Sequence, residues 1–217
     1  MTVAPVGLDF EVMKKDFKKY DKGLLRAQFG FDMDEVIICT VSRLDPEKRP
    51  LDLLDIFMRV KAKKKCKLLI VGEGVQSLEV EKRIEVLGLE NEVKVLNRVP
   101  YEDIWKVYAI SDYFVNLCGT EIFGMAILEA MYYEVSVAAS IAPGPSVTLK
   151  GMKGHKLCIT DQDVEDWLAG KYPEKKELAE SAEKLKEKYG WDSCANVFLS
   201  IVSGKKDKNR KEKRTRV

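Results

Sequence analysis

Histidine is nearly absent from this sequence, with His155 the single one among 217 residues. A metal centre built on imidazole is therefore not expected. The five cysteines offer no alternative, because Cys39, Cys66, Cys118, Cys158 and Cys194 are scattered, odd in number and never spaced as CxxC. A disulfide framework is not expected either. Cys39 in "VIICTV" and Cys118 in "YFVNLC" sit in strand-like runs and read as small buried hydrophobes. His155 in "MKGHKL" reads as a loop residue without a catalytic role. Long apolar runs are missing too. None approaches the roughly 18 residues that a membrane span needs. The opening "MTVAPVGLDF" lacks the basic and apolar regions of a secretory signal, so a cytoplasmic location is expected.

Net charge is small, at +2, but unevenly spread. The last fourteen residues, "GKKDKNRKEKRTRV", carry eight basic and two acidic side chains, a net +6, which leaves the body near −4. A body of that sign does not suit nucleic acid. The tail reads as solvated and disordered, with weak contact to an anionic membrane surface as the other expectation.

What the chain has in quantity is apolar side chains, 46% against 33% charged, enough for one globular core with arms to spare. They fall into a repeating pattern. Runs at "VIICTVS" (36–42), "KLLIVG" (67–72), "VKVLNRV" (93–99), "DYFVNLC" (112–118), "VSVAAS" (135–140) and "KLCIT" (156–160) read as strands. Between them "PLDLLDIFMRVKAK", "SLEVEKRIEVLG", "EDIWKVYAI" and "FGMAILEAM" repeat at helical spacing. Such alternation predicts βαβ units: an α/β, Rossmann-like parallel sheet with helices on both faces. The strands are hydrophobic almost throughout, as a sheet covered on both faces requires. A helical arm over residues 9–30 is expected before the first strand. Helices in "DVEDWLAGKY", "PEKKELAESAEKLKEKYG" and "WDSCANVFLSIVS" are expected after the last, the second beginning at Pro173 and ending at Gly190.

In an open parallel sheet, ligands bind at the carboxyl ends of the strands. After the first strand, "SRLDPEKRP" sets Arg43 and Lys48 on a loop leading into a helix, which suits a phosphate but taken alone reads rather as solvated surface. After the second, Gly72 and Gly74 in "VGEG" allow a tight turn or a close backbone approach. After the fourth comes "TEIFGMAILEAM", in which Glu129 is the one polar side chain between Phe123 and Met131. A carboxylate in an otherwise apolar helix needs a partner. Vicinal ribose hydroxyls would suit it. A capped neighbouring element or a lysine would serve as well.

Together "VSRLDPEKRP", "LLIVGEG", "NEVKVLNRVPYEDIWKVYAISDYFVNL" and "TEIFGMAILEAM" resemble, in order and spacing, the donor-binding domain of retaining glycosyltransferases of the GT-B fold. That family includes glycogen synthases and phosphatidylinositol mannosyltransferases. The likeness is close over about residues 36–140. Its most specific part is the pair Glu121 and Glu129, the family's E-x7-E motif. It implies that Arg43 and Lys48 neutralise the diphosphate of a nucleotide-sugar donor, that Glu121 holds hydroxyls of the transferred sugar and that Glu129 holds the ribose. Gly72 and the backbone of Ile122, Phe123, Gly124, Met125 and Ala126 would approach phosphate or sugar, while Asn97, Arg98 and Val99 would read the base edge. It implies no metal and no cofactor beyond the donor itself.

A complete enzyme of this kind also has an acceptor-binding domain, to be supplied in cis or as a separate subunit. "VAPVGLD", within residues 1–9, resembles the hinge at which such a domain ends, so residues 10–203 are expected to form the nucleotide-sugar domain and 204–217 the basic tail. Two stretches depart from the family. Glu134 and Ser136 stand where it has a glycine and a proline, and "APGPSVTLKG" replaces its G-G-x-P-E segment. The other reading is a non-catalytic nucleotide-binding or subunit-interaction module on the same fold.

Overall fold

A computed structural model describes residues 7–13 and 20–203. Six strands, β1 (Val36–Val41), β2 (Cys66–Val71), β3 (Val93–Leu96), β4 (Tyr113–Asn116), β5 (Ser136–Ser140) and β6 (Lys156–Cys158), form one sheet. All pairings are parallel, in the order β3-β2-β1-β4-β5-β6. The order reverses between β1 and β4, and a crevice for a ligand opens at the carboxyl ends of strands at such a reversal. The helices are α1 (Phe10–Met13), α2 (Lys22–Gln28), α3 (Pro50–Lys61), α4 (Ser77–Val86), α5 (Ile104–Ile110), α6 (Met125–Tyr132), α7 (Pro143–Thr148), α8 (Asp161–Ala169), α9 (Lys175–Tyr189) and α10 (Trp191–Val202).

Strand side chains alternate between two cores. Ile37, Cys39, Phe114 and Val137 join α5, α6 and α9 on one face. Ile38, Tyr113, Val115 and Ala138 join α3, α4 and α8 on the other. Each fully buried leucine or isoleucine contributes about 1.5–3 kcal/mol, so the two covered faces explain why the strands read as continuous apolar runs. Among the described residues no helix is long and apolar enough to cross a membrane.

The N-terminal arm is helical in its described parts. Among the described residues it holds α1 and α2, and residues 14–19 lie outside them. Asp21 starts α2 afresh, accepting hydrogen bonds from the Gly23 and Leu24 amides at 2.7 and 3.0 Å. Helix α9 begins at Lys175 rather than Pro173, since Pro173 precedes an extended stretch, and it stops at Gly190 as expected. The short α7, in the departing "APGPSVTLKG" segment, was not legible from periodicity. Residues 1–6 of the hinge-like stretch and the tail 204–217 also lie outside the described residues.

Arg26 of α2 is 3% exposed and ties the arm to the amino end of the sheet. Its guanidinium donates to the carbonyls of Ile110, Met33 and Glu35, each at 3.0 Å, and to Asp112 Oδ2 at 2.7 Å. Asp112 Oδ2 also accepts from the Ile37 amide at 2.8 Å.

The two departing residues just after α6, Glu134 and Ser136, have a local account. Glu134 is exposed and adopts φ 59°, the left-handed region that glycine tolerates best. Ser136 is fully buried at the start of β5, where its hydroxyl donates to the Gly154 carbonyl at 2.9 Å and accepts from Trp167 Nε1 at 3.1 Å. Its own amide donates to the Asp112 carbonyl at 3.0 Å, a bond that proline would forgo.

Candidate functional site

The loops after β1 and β2 are zipped together at the carboxyl edge of the sheet. Ser42 N donates to Val71 O at 3.0 Å, Leu44 N to Glu73 O at 3.1 Å and Gln76 N to Leu44 O at 2.9 Å. Gly72 makes this approach possible. At φ 137°, a Cβ there would stand 1.8 Å from the Ser42 carbonyl oxygen. The β1 loop then turns through Pro46–Lys48 into α3, which carries the Lys48 side chain across to the loop after β4.

There Lys48 Nζ meets Glu121 Oε2 at 2.9 Å, with both side chains largely covered, at 19% and 17% exposure. Asn116 Nδ2 reaches the same oxygen at 3.5 Å, and Cys118 Sγ lies 3.6 Å from Lys48 Nζ. Burial alone would discharge the Lys48 ammonium, but the hydrogen bond and charge of Glu121 outweigh it and lift its pKa above the usual lysine value. Burial likewise opposes the Glu121 carboxylate, and Lys48, with smaller help from Asn116 and the Phe123 amide, holds its pKa below the usual range. Each group keeps the other charged. Cys118 is buried, as the sequence suggested, yet it also lines this ion pair, which an apolar reading of it misses.

Beyond Glu121 the chain enters α6 through Gly124, whose φ of 81° serves as the helix N-cap with no side-chain bond to the first turn. The Ile127 and Leu128 amides donate to Gly124 O, at 3.0 and 3.2 Å. No partner is found for the Met125 and Ala126 amides among the described residues, so the positive end of the helix dipole faces outward beside Lys48 and Glu121. The Glu121 carbonyl accepts from the Gly144 amide at 2.8 Å, so α7 braces this loop.

One turn further on, Glu129 is 9% exposed. Tyr108 of α5 donates its hydroxyl to Glu129 Oε2 at 2.7 Å. This is the protein partner that a buried carboxylate needs. Burial still raises the Glu129 pKa above the usual carboxylate value, with the Tyr108 hydrogen bond acting the other way. Tyr108 was not singled out by sequence, where it is one aromatic among the apolar residues of "EDIWKVYAI".

Other expected site residues are placed less decisively. Arg43 is 69% exposed and turned onto Asp45 and Glu47 of its own loop, meeting Glu47 Oε1 at 2.8 Å, rather than toward Lys48. Asn97 and Arg98 are exposed after β3, while Val99 packs on the core. Ile122 is 81% exposed and Met125 is exposed; Phe123 and Ala126 are half-buried, with the Phe123 ring edge-on to Tyr189 at 5.9 Å. His155 does lie in a loop, before β6. Its Nδ1 accepts from the Val137 amide at 3.1 Å, and burial lowers its pKa to about 4.

The geometry thus joins an ion pair, uncapped helix amides and a half-satisfied carboxylate at one edge. Comparison with known proteins supplies the family. Among curated relatives, the chain is 28% identical over 141 residues to N-acetyl-alpha-D-glucosaminyl L-malate synthase of Bacillus anthracis, covering 64% of this chain and 36% of the relative. It is 30% identical over 152 residues to D-inositol 3-phosphate glycosyltransferase of Segniliparus rotundus, covering 68% and 33%. Among solved structures, sucrose-phosphate synthase from Thermosynechococcus elongatus superposes with TM-score 0.74 at 19% identity, covering 93% of this chain and 51% of that one. HepE of Anabaena, in complex with UDP and glucose, gives TM-score 0.75 at 21% identity, covering 91% and 54%. The chain therefore spans about a third of the length of these curated relatives and about half of these solved structures. The family model for glycosyl transferases group 1 matches residues 21–189, and with that match this chain belongs to the group 1 glycosyltransferases, as the Rossmann-like half of a GT-B fold.

Proposed function

We propose that this chain is the donor-binding domain of a retaining, metal-independent glycosyltransferase and holds a nucleotide-diphosphate sugar at the carboxyl edge of its sheet. The observation that carries this reading is the arrangement around α6: the Lys48–Glu121 ion pair at its amino end, its free amides, and Glu129 one turn inside. Solved neighbours named in complex with UDP, or with UDP and glucose, favour the same ligand class.

When the bond from the anomeric carbon to the diphosphate breaks, the leaving oxygen takes the electron pair. Charge therefore grows where Lys48, Arg43 and the Met125 and Ala126 amides can meet it, and preorganised donors of this kind are worth about 2.7–4 kcal/mol each in other enzymes. Lys48 enters the step already charged, since Glu121 holds its proton on. Arg43 must leave Asp45 and Glu47 to take part, an exchange that costs little because exposed ion pairs contribute about 0–1 kcal/mol. In this scheme Glu121 receives sugar hydroxyls, and the departing oxygen assists the acceptor hydroxyl on the same face, which gives retention.

The acceptor site belongs to a second domain, on the same polypeptide or on another. Its expected seat is α10, where Trp191, Phe198, Leu199 and Val202 are 63%, 58%, 60% and 69% exposed on one helical stripe. A cytoplasmic chain with its tail against an anionic membrane fits the same reading. Calorimetric titration with UDP, GDP and their sugar conjugates tests it. One of them should bind, and Glu129→Ala should remove most of the affinity while the thermal transition persists. No heat with any of them, from folded protein, would refute the proposal. Sugar transfer by this chain alone would refute the assignment of the acceptor site elsewhere.

A further inference from the structure

Glu129 presents an asymmetry that its burial leaves unexplained. Oε2 is held by Tyr108 at 2.7 Å, and Oε1 has no protein partner among the described residues. Buried polar atoms are almost always paired. The side-chain atoms that are both buried and unpartnered among the described residues are Tyr113 Oη and His155 Nε2. Oε1 is not among them, so the free oxygen of Glu129 reaches solvent. One edge of the carboxylate is fixed to the protein, and the other is left open to solvent.

The group that fixes it is itself immobile. Tyr108 is fully buried, its ring stacked on Tyr133 at 5.6 Å and 14° and tilted against Phe114 at 6.1 Å. Tyr133 closes α6, the helix that carries Glu129, and its hydroxyl donates to Met13 O at 3.0 Å. The phenol oxygen is thus clamped from α5, α6 and β4 together. A carboxylate on a glutamate stem otherwise rotates about three bonds, and pinning one oxygen removes most of that freedom before any ligand arrives.

We infer that Tyr108 is a positioning residue for nucleotide recognition: its hydroxyl orients the Glu129 carboxylate so that Oε1 meets the ribose hydroxyls. This rests on the donor-site reading above. A purely structural tie between α5 and α6 would satisfy both oxygens inside the protein, as Arg59 and Lys63 do for Glu165, one on each oxygen at 2.6 Å. At Glu129 the tie stops at one.

The test is discrimination between ribose and deoxyribose. Whichever of UDP and GDP binds is titrated calorimetrically beside its 2′-deoxy and 3′-deoxy counterparts into the full chain, as wild type, Tyr108→Phe, Glu129→Gln and the double variant. Phenylalanine keeps the ring and its stacking and removes only the hydroxyl. The wild type should prefer the ribonucleotide by about tenfold or more, as a charge-assisted hydrogen bond implies. Tyr108→Phe should weaken the ribonucleotide and leave the deoxy forms nearly unchanged, so that the preference falls several-fold. In the Glu129→Gln background, adding Tyr108→Phe should change the preference no further. The inference is overturned if Tyr108→Phe keeps the full preference, if it weakens all three ligands alike with a lowered Tm, or if the wild type shows no preference. Failure of folded wild type to bind either nucleotide would instead overturn the donor-site reading from which it starts.

Discussion

Glu134 sits where a left-handed backbone asks for glycine and none is present. An L-residue there costs about 1–2 kcal/mol, partly offset by the extra chain entropy that glycine loses on folding. Glu134→Gly should therefore stabilise the protein by about 0.5–1 kcal/mol, read as a raised urea midpoint with an unchanged slope. His155 makes the opposite kind of statement. Folded, it titrates at about 4, against 6.5 for an unburied histidine, because burial penalises the imidazolium. Its contribution is whole above pH 6.5 and is lost as the pH falls toward 4, where the unfolded chain takes up the proton first. The loss amounts to about 3 kcal/mol at most. Protonation at Nδ1 also turns away the Val137 amide. His155→Gln should flatten the decline in stability between pH 6.5 and 4, and a decline as steep as in the wild type would count against this account. At this scale Glu129 was legible, because a lone carboxylate in an apolar helix marks itself in the sequence, and Glu121 was legible only through the motif that pairs it with Glu129. Their pairings were not. Lys48 stands 73 residues before Glu121 and Tyr108 stands 21 before Glu129, and no local pattern encodes such meetings.

Among the elements, the strand and helix pattern could be read because each strand is covered on both faces and each core helix presents one apolar stripe to them. Helix α2 was legible only as part of a longer arm. What matters in it, the buried guanidinium of Arg26, looks in the sequence like one more surface cation. The loop after β2 could be read as glycine-dependent, but not for which reason. The structure answers that Gly72 lets the β1 and β2 loops touch, since any Cβ would strike the Ser42 carbonyl. Gly72→Ala must push apart the loop that carries Arg43 and Lys48. We expect a loss of about 2–4 kcal/mol in stability, in the upper range for single substitutions. A weaker affinity for nucleotide should accompany it, measured by denaturation and by titration on the same preparation. Alanine accepted without cost at this position would show that the two loops can separate freely.

For the molecule as a whole, α10 is the element that this domain leaves half used. Cys194 faces inward, whereas Phe198 and Leu199 lie in solvent. Phe198→Ser with Leu199→Ser should change the stability of this chain by no more than about 0.5 kcal/mol, the usual range for surface substitutions. The pair should nevertheless abolish association with an acceptor-binding domain in a binding assay. A large loss of stability would mean that the stripe is already packed in solution. The same corner holds the amino-terminal stretch. Leu8 N donates to Tyr189 O at 2.8 Å and Leu8 bridges to Gly190, while the Tyr189 ring meets Phe123 in the loop that follows Glu121. Residues near Leu8 and the end of α9 thus share a seam one side chain away from the loop proposed to hold the sugar. A fluorophore attached beside Leu8 would act as a doorbell for ligand arrival, and a bulky fusion at that seam would jam the door.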